Sequence, residues 1–457
     1  MRRIKTDSRK IKDGDIFLAL RGISSDGHSY IPKAIENGAT KVIAEEGRYD
    51  VDYEIVTSSR EYLNQYLKEN YNPCIDEMTL IGITGTNGKT TSAYLIYDAL
   101  NKLGIKCAYI GTIGFYMDGK VTSLPNTSPE VSEIYNMLMD AYEQGYRYAV
   151  LEVSSHGLSN GRIEGLSFDY AVFTNLTQDH LDFHKTMDNY AMAKQSLFYK
   201  LKPNGKAIIN YDDSYKETFL LEQNNNLTYG FDGGDYQVIE YDMTNFGTKF
   251  QYSYMGDKYS IESNLIGKYN IYNLMVAMIV LKEIGISFEQ IGSIVSSLQA
   301  PVGRMEKVLY GSNSIIVDYA HTPDALMNII STVKEFCKGK LYVVFGCTGD
   351  RDRTKRPIMM DITTRECDYV IVTSDDLHNE DPDQIVSDML EGLQKDNYEV
   401  CMDRRDAIIK GIQLLDDQDV LLILGKGHEE VMIIGNERIP FNDMKTVNAY
   451  LDDLNKD

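Results

Sequence analysis

An α/β fold of three domains is what the sequence predicts, on three observations. The 457 residues exceed what one hydrophobic core organises, at about 100–200 residues per domain. Short apolar runs alternate with helix-length segments in separate series, the pattern of parallel sheets covered on both faces. A Gly-rich turn joins one of these runs to a helical pattern.

Residues 1–77 make the first unit. An apolar run at Asp15–Leu20 is followed by the turn Gly22-Ile-Ser-Ser-Asp-Gly-His28, helical periodicity from Tyr30 to Gly38 and a short strand at Lys41–Ala44. This is a small α/β domain. Residues 78–301 make the second. The run in Met78–Thr84 leads into Gly85-Thr-Asn-Gly-Lys-Thr90, after which Ala93, Ile96, Ala99, Leu100 and Leu103 recur at helical spacing before Gly104. Further strands are expected at Tyr148–Val153, Asp169–Thr174 and Lys206–Asn210. Tyr-rich alternation from Gly230 to Glu262 predicts an antiparallel meander attached to this P-loop ATPase-like, parallel-sheet domain. A helix over 270–284 closes it. Past Pro301-Val-Gly-Arg304, residues 302–457 carry strands at Ser314–Val317, Leu341–Phe345, Tyr369–Thr373, Glu399–Met402 and Val420–Leu424, which reads as a Rossmann-like domain.

Lys and Arg number 46 against 68 Asp and Glu, a net charge of −22. That charge argues against nucleic acid and anionic membrane as partners, and it requires any anionic ligand to be met by a focused cationic pocket. The six cysteines form no CxxC pair, so neither a zinc knuckle nor a disulfide framework is indicated. With no apolar leader in Met1-Arg-Arg-Ile-Lys-Thr-Asp and no apolar stretch near the roughly 18 residues of a membrane span, a cytoplasmic location is expected.

The turn Gly85-Thr86-Asn87-Gly88-Lys89-Thr90 aims backbone N–H groups and a helix N-terminus at a phosphate. Lys89 would reach the β and γ oxygens, and the Thr90 hydroxyl would bind Mg²⁺. The spacing departs from G-x-x-x-x-G-K-[ST], because Ile83 stands at the first glycine position. Glu152, at the end of a buried strand, needs a cation or donors to offset its desolvation, and the nucleotide's metal is the natural candidate. Asp179-His180-Leu-Asp-Phe-His184 is either a surface cluster or a group of ligands. The seven histidines all fall at inferred strand ends or loops, which favours chemistry.

Taken together, these residues resemble the Mur ligase family, ATP-dependent amide-forming enzymes of peptidoglycan precursor synthesis. The resemblance runs from Asp7-Ser-Arg9 and Asp26-Gly-His28 through Asn126-Thr-Ser-Pro129, Glu152-Val-Ser-Ser-His156, Asp179-His180, Lys194, Gly267-Lys-Tyr-Asn270, Asp318-Tyr-Ala-His-Thr-Pro323 and Gly349-Asp-Arg-Asp352 to Gly425-Lys-Gly-His-Glu429. It is strongest to members that join a diamino acid to UDP-N-acetylmuramoyl-L-alanyl-D-glutamate. The resemblance implies three domains, for the uridine nucleotide, ATP and the incoming amino acid. It implies phosphoryl transfer from ATP to the D-glutamate carboxylate, then attack of an amine on the acyl phosphate. Catalysis would fall to Lys89, His180 and Lys194, and Mg²⁺ to Thr90, Glu152, His180 and a carbamylated Lys194. ATP would be held by Gly85–Thr91, with Thr91 following Thr90 on the helix, and by Asn270, Asn273, Arg304 and Asp318. Ser8, His28, Thr127, Ser128, Ser154 and Arg162 would bind the UDP-muramoyl peptide. Ser128 stands where a second Thr is usual, and Ser8 lies so close to Met1 that the leading segment typical of such members is expected to be missing. Arg351, Asp375, Asp376, Leu377, His378, Gly425 and Glu429 would bind the amino acid. A monomer with small-molecule partners is expected.

Diaminopimelate-adding members carry Asp-Asn-Pro-Arg, whose arginine pairs with the distal carboxylate. Here Asp375-Asp376-Leu377-His378 stands in its place. An extra carboxylate at Asp376 favours a side-chain ammonium, so L-lysine is the expected substrate, with meso-diaminopimelate or another diamino acid as the alternative and His378 as a group that could receive a carboxylate. A folylpolyglutamate synthetase-like ligase, which shares the phosphate loop, and a nucleotide-binding regulatory protein on the same fold are the competing readings.

Overall fold

The structure is a computed structural model that describes residues 2–21, 26–244 and 247–454; Gly22–Ser25 of the opening turn lie outside the described residues. The chain builds three main sheets. In the first, Ile4–Lys5, Ile16–Leu18, Lys41–Ala44 and Asp52–Ile55 pair in sequence order, all parallel. Its first helix is short, Ile31–Glu36, with Pro32 in the opening turn where a missing N–H costs nothing. A second helix, Ser59–Asn70, capped by the Ser58 hydroxyl on the Glu61 N–H, buries Leu63 and Leu67. These side chains share one apolar cluster with Ile4, Ile16, Leu138 and Leu151, so the first unit is packed directly onto the second. A polar triangle seals the contact: Ile4 N–H donates to the Tyr71 hydroxyl at 3.0 Å, that hydroxyl to Asn136 Oδ1 at 3.1 Å, and Asn136 Nδ2 to the Ile4 carbonyl at 2.9 Å.

The second sheet has eleven strands. Its parallel centre runs Asn225–Gly230, Leu201–Asn210, Phe168–Phe173, Thr79–Thr84, Tyr148–Glu152, Cys107–Gly111. The expected meander, Tyr236–Thr244, Gly247–Tyr254 and Asp257–Ser263, continues this same sheet, joined in parallel to Asn225–Gly230 at Tyr229 and Gly230. Helices Lys89–Lys102 and Lys268–Glu283 pack on one face, where Ile81, Ile83, Val150, Val172 and Ile208 meet Leu95, Ala99, Leu274 and Met278. The second helix is apolar almost all round, as burial between layers requires.

The third sheet orders Glu306–Tyr310, Asn313–Asp318, Val420–Leu424, Leu341–Phe345, Tyr369–Val372, Tyr398–Val400, parallel except for the first pair. Just as the sequence pattern does not show Cys107–Gly111 or Asn225–Gly230 in the second sheet, it does not show the edge strand Glu306–Tyr310 or the hairpin Val431–Ile434 with Glu437–Pro440 in this domain. Both are short, and Glu437–Pro440 is exposed throughout, so no buried face imposes a hydrophobic alternation on it. Among the described residues no helix is long and apolar enough to cross a membrane.

Candidate active site

The phosphate loop follows strand Thr79–Thr84 and opens helix Lys89–Lys102. Its shape is imposed by the neighbouring strand end. Thr86 N–H donates to the Asn175 carbonyl and Asn87 N–H to Asn175 Oδ1, each at 2.8 Å, while the Thr174 hydroxyl donates to the Asn87 carbonyl at 2.6 Å. Gly88 has φ +82°, and a Cβ there would stand 2.5 Å from Asn273 Oδ1. Only glycine permits both the left-handed turn and the close approach of helix Lys268–Glu283. Lys89 Nζ turns back on the loop, donating to the carbonyls of Gly85 at 2.9 Å and Thr86 at 2.8 Å.

Glu152 ends strand Tyr148–Glu152 with only 2% exposure. Four donors offset its desolvation: the Thr90 hydroxyl at 2.9 Å, the Thr112 N–H at 2.9 Å, the Thr112 hydroxyl at 3.1 Å and the Tyr109 hydroxyl. Thr90 and Glu152 thus present paired hard oxygens, a donor set suited to Mg²⁺.

Lys194 lies on helix Met187–Gln195 and is buried, its Nζ 2.7 Å from the same Gly85 carbonyl and 4.4 Å from the centre of the Tyr190 ring. Burial, reinforced by the charge of Lys89, pushes its ammonium well below the ordinary lysine range. Two amines sharing one carbonyl cannot both carry charge at low cost. His180 sits at φ 55°, its backbone N–H held by Asp179 Oδ1 at 3.0 Å. Burial, against the Asp179 charge, lowers its imidazole to about 3, so it is neutral and fit to act as a ligand. The His156 ring lies 4.7 Å from that of His180, and His184 Nε2 lies 2.9 Å from the Ser155 hydroxyl. His156 and His184 stand within the short helices Ser155–Ser159 and Leu181–His184, not at strand ends or in loops.

A cavity of about 530 Å³ runs from Lys89, Thr90 and Thr91 to Asn270, Asn273, Arg304 and Asp318, with Thr127, Ser154 and His180 on its wall. The residues expected at ATP therefore converge, across two domains. Asn273 Nδ2 donates to Asn270 Oδ1 at 3.0 Å. The Arg304 guanidinium lies 4.5 Å over the Tyr319 ring and 3.4 Å from the Thr90 hydroxyl. Asp318 already accepts the N–H groups of Met305 and Ala320, each at 2.8 Å. The two domains also touch at Asn87 Nδ2 to Asp324 Oδ2 (2.8 Å) and Gln178 Nε2 to the Thr354 hydroxyl (3.0 Å).

Next to it, Ser128 bonds the Glu152 carbonyl and the Ser154 hydroxyl, each at 3.1 Å, and Arg162 donates to the Ser128 carbonyl at 3.0 Å. Ser8 and His28 sit apart, in the first domain. His28 has both ring nitrogens engaged, Nε2 accepting from the Glu45 N–H at 3.0 Å and Nδ1 lying 2.7 Å from Asp26 Oδ1, which makes it a brace of the fold there.

In the third domain Asp375 and Asp376 follow strand Tyr369–Val372, and Gly425 follows Val420–Leu424. Lys426, fully buried, puts its Nζ 2.8 Å from Asp376 Oδ1 and 2.6 Å from Glu429 Oε2. Asp376 Oδ1 also accepts the Ile433 N–H at 2.8 Å. Asp376 is thus paired from inside the protein with an ammonium that it shares with Glu429, so it is not the isolated carboxylate on which the expected preference for lysine rested. The carboxylates of Asp375, Asp376 and Glu429 approach one another closely enough to suggest a metal, but Lys426 already supplies their cation. Burial raises the Glu429 carboxyl to about 7 against the pull of Lys426. Leu377 and His378 are clamped by backbone bonds to the Ile433 carbonyl, with the half-buried His378 in a left-handed backbone conformation at φ 50°. Arg351 is exposed and bonds the Asp350 carbonyl. Sequence reasoning missed Tyr109, Thr112 and Lys426; the last lies inside a motif it quoted, but nothing local shows that its ammonium turns inward.

Known proteins resemble this chain over almost its whole length. Residues 1–90 match the Mur ligase family catalytic domain, 83–281 the Mur ligase middle domain and 303–427 the glutamate ligase domain. A protein of Clostridium botulinum named UDP-N-acetylmuramoyl-L-alanyl-D-glutamate--2,6-diaminopimelate ligase is 40% identical over 99% of this chain and 95% of its own length. A solved structure of the same description is 33% identical, covers 99% of this chain and 95% of its own, and superposes with a TM-score of 0.68. MurF of Thermotoga maritima, solved with ADP, shares the fold at a TM-score of 0.75 and 20% identity, over 100% of this chain and 98% of its own. The chain belongs to the Mur ligase family, whose members are ATP-dependent amide ligases.

Proposed function

We propose that the protein joins meso-diaminopimelate to UDP-N-acetylmuramoyl-L-alanyl-D-glutamate at the expense of ATP. The observation that carries this is the meeting of Lys89, Thr90, Glu152 and Lys194 around one phosphate loop, at the mouth of a cavity walled by two domains. We divide the chain at 77/78 and 301/302.

Charge control governs the reaction, because an anionic carboxylate must approach an anionic γ-phosphate. Lys89 leaves the loop carbonyls for the phosphate oxygens, Arg304 adds a second positive charge, and Asn270, Asn273 and Asp318 orient adenosine. Thr90, Glu152, His180 and Lys194 would hold Mg²⁺, which would supply the remaining neutralisation of the phosphate charge. Lys194 would serve there as its carbamate: the buried neutral amine adds to CO₂ and releases a proton, gaining two oxygens that share one negative charge. A D-glutamate carboxylate oxygen attacks the γ-phosphorus and ADP leaves, giving an acyl phosphate; the amine of the amino acid then adds to the acyl carbon, and the tetrahedral intermediate collapses to the amide with loss of phosphate and a proton. Ser8 and the segment that His28 braces serve the uridine end, with Thr127, Ser128, Ser154 and Arg162 along the muramoyl peptide.

Glu429 and Asp375 receive the amino group of the incoming amino acid, and Arg351 its α-carboxylate. With Asp376 paired to Lys426, the distal carboxylate is assigned to His378. The names of the relatives favour diaminopimelate on the same side. The assay offers the dipeptide nucleotide with diaminopimelate, lysine or ornithine and follows ADP. Use of diaminopimelate at a kcat/KM at least about tenfold above lysine is expected, a margin of about 1.4 kcal/mol. Preference for lysine refutes the substrate, glutamate addition to a folate marks a folylpolyglutamate synthetase, and ADP release independent of any amino acid marks a regulatory nucleotide-binding protein.

A further inference from the structure

We infer that Arg404 is the positioning residue of the amino-acid subsite: from beneath the third sheet it fixes the relative height of the two strand ends that carry Asp375, Asp376 and Lys426. The inference rests on the reading of that subsite given above. Arg404 opens helix Arg404–Gln413 and, although an arginine, is 1% exposed. Its Nε donates to Asp443 Oδ1 at 2.7 Å and its Nη2 to Oδ2 at 2.8 Å, and Asp443 is itself fully buried. The rest of the fork points at backbone. Nη1 donates to the Ser374 carbonyl at 3.2 Å, and Nη2 to the Leu424 carbonyl at 3.0 Å. Ser374 immediately precedes Asp375; Leu424 immediately precedes Gly425 and Lys426.

Those two strand ends are not neighbours, since Leu341–Phe345 runs between them in the sheet. No ladder hydrogen bond therefore ties Ser374 to Leu424, and the guanidinium spans the gap. An apolar pair of similar volume would serve stability as well as this buried ion pair. It would not supply rigid donors aimed at two carbonyls at once. The subsite above has no slack to absorb a shift. A Cβ at Gly425 would stand 2.5 Å from Asp375 Oδ2, and one at Gly346 would stand 2.1 Å from the Thr373 carbonyl. Displacement of either strand end would be passed directly to the Asp375 carboxylate. The charge of Arg404 also reaches that carboxylate: burial pushes it up, and Lys426 and then Arg404 outweigh burial and hold it down.

The test compares Arg404→Lys and Asp443→Asn with the wild-type enzyme in full KM determinations for the amino acid, ATP and the nucleotide dipeptide. Lysine keeps the charge but cannot bridge Asp443 and both carbonyls; the asparagine keeps the guanidinium but weakens its anchor. The expected result is a rise in amino-acid KM of at least about tenfold for Arg404→Lys and a smaller rise for Asp443→Asn, with both other KM values within about twofold of wild type. An unmoved amino-acid KM, or equal rises in all three, overturns the inference by showing that the pair is only structural. Should Arg404→Lys fail to fold, Asp443→Asn decides by the same split. Wild-type ADP release that does not depend on the amino acid would instead sink the subsite reading, which keeps the two failures apart.

Discussion

At the scale of single residues, the site works by placing charges where each is costly alone. Lys194 is the sharpest case: buried, beside Lys89, and sharing its carbonyl, its amine is held in the neutral form that reacts with CO₂. Lys194→Ala and Lys194→Arg should both lose turnover by at least about a hundredfold, a change of about 2.7 kcal/mol. A carbamate carbon resonance from ¹³C-bicarbonate should appear in the wild-type enzyme and be missing from Lys194→Arg; its absence from the wild type would refute the modification. Glu429 titrates at about 7 because burial disfavours its anion more than Lys426 favours it. Its folded-state value is raised, so the proton is held below about 7 and the anion that receives an ammonium forms as pH rises through that value. Amino-acid KM should therefore fall from pH 6 to 8 and then level off, and Glu429→Gln should flatten the profile.

At the scale of elements, the turn between Thr84 and Lys89 is a loop that depends on its neighbours. Gly88→Ala would place a Cβ at φ +82° and 2.5 Å from Asn273 Oδ1. The left-handed conformation alone costs about 1–2 kcal/mol, so the variant should show an ATP KM raised by about tenfold or more and a lowered melting temperature. Little of that neighbourhood was legible in the sequence, although the strand, turn and helix that frame it were. Period-2 and period-3.6 patterns reveal which segments pair and pack, and so the central strands and helix Lys268–Glu283 are found within a few residues of their expected places. Local patterns carry no information on which distant backbone a loop leans against. Asn175 beneath the loop, Thr112 on Glu152 and Lys426 within the acidic cluster become visible only in three dimensions. The same blindness produced the expectation for lysine: Asp376 reads as a free carboxylate until the buried ammonium beside it is seen.

At the scale of the whole molecule, the proposed reading puts ATP and the amino acid on different sheets, so activity would require the second and third domains to stay in register. Their contacts cluster around the phosphate loop and the segment after Thr174. The deepest is between Lys355 Nζ and Asp179 Oδ1 at 3.6 Å, with each side chain 8% exposed. Burial would raise the Asp179 carboxyl, but the Lys355 charge and the backbone N–H of His180 hold it below the ordinary range. Because that folded-state value is lowered, the pair contributes above the ordinary carboxylate range and is lost only as pH falls through the depressed value, so docking should not vary between about pH 6 and 9. Replacing Lys355 by Met leaves a buried carboxylate without its cation, a defect of roughly 3–5 kcal/mol when a buried pair is broken. Interfaces between domains are otherwise modest and permit motion. Lys355→Met should therefore release the third domain without unfolding either partner. Small-angle X-ray scattering should show a larger radius of gyration than wild type, with kcat depressed and ADP still bound through the phosphate loop. An unchanged radius of gyration with unchanged kcat would show that Asn87, Gln178 and Arg304 suffice to hold the domains together.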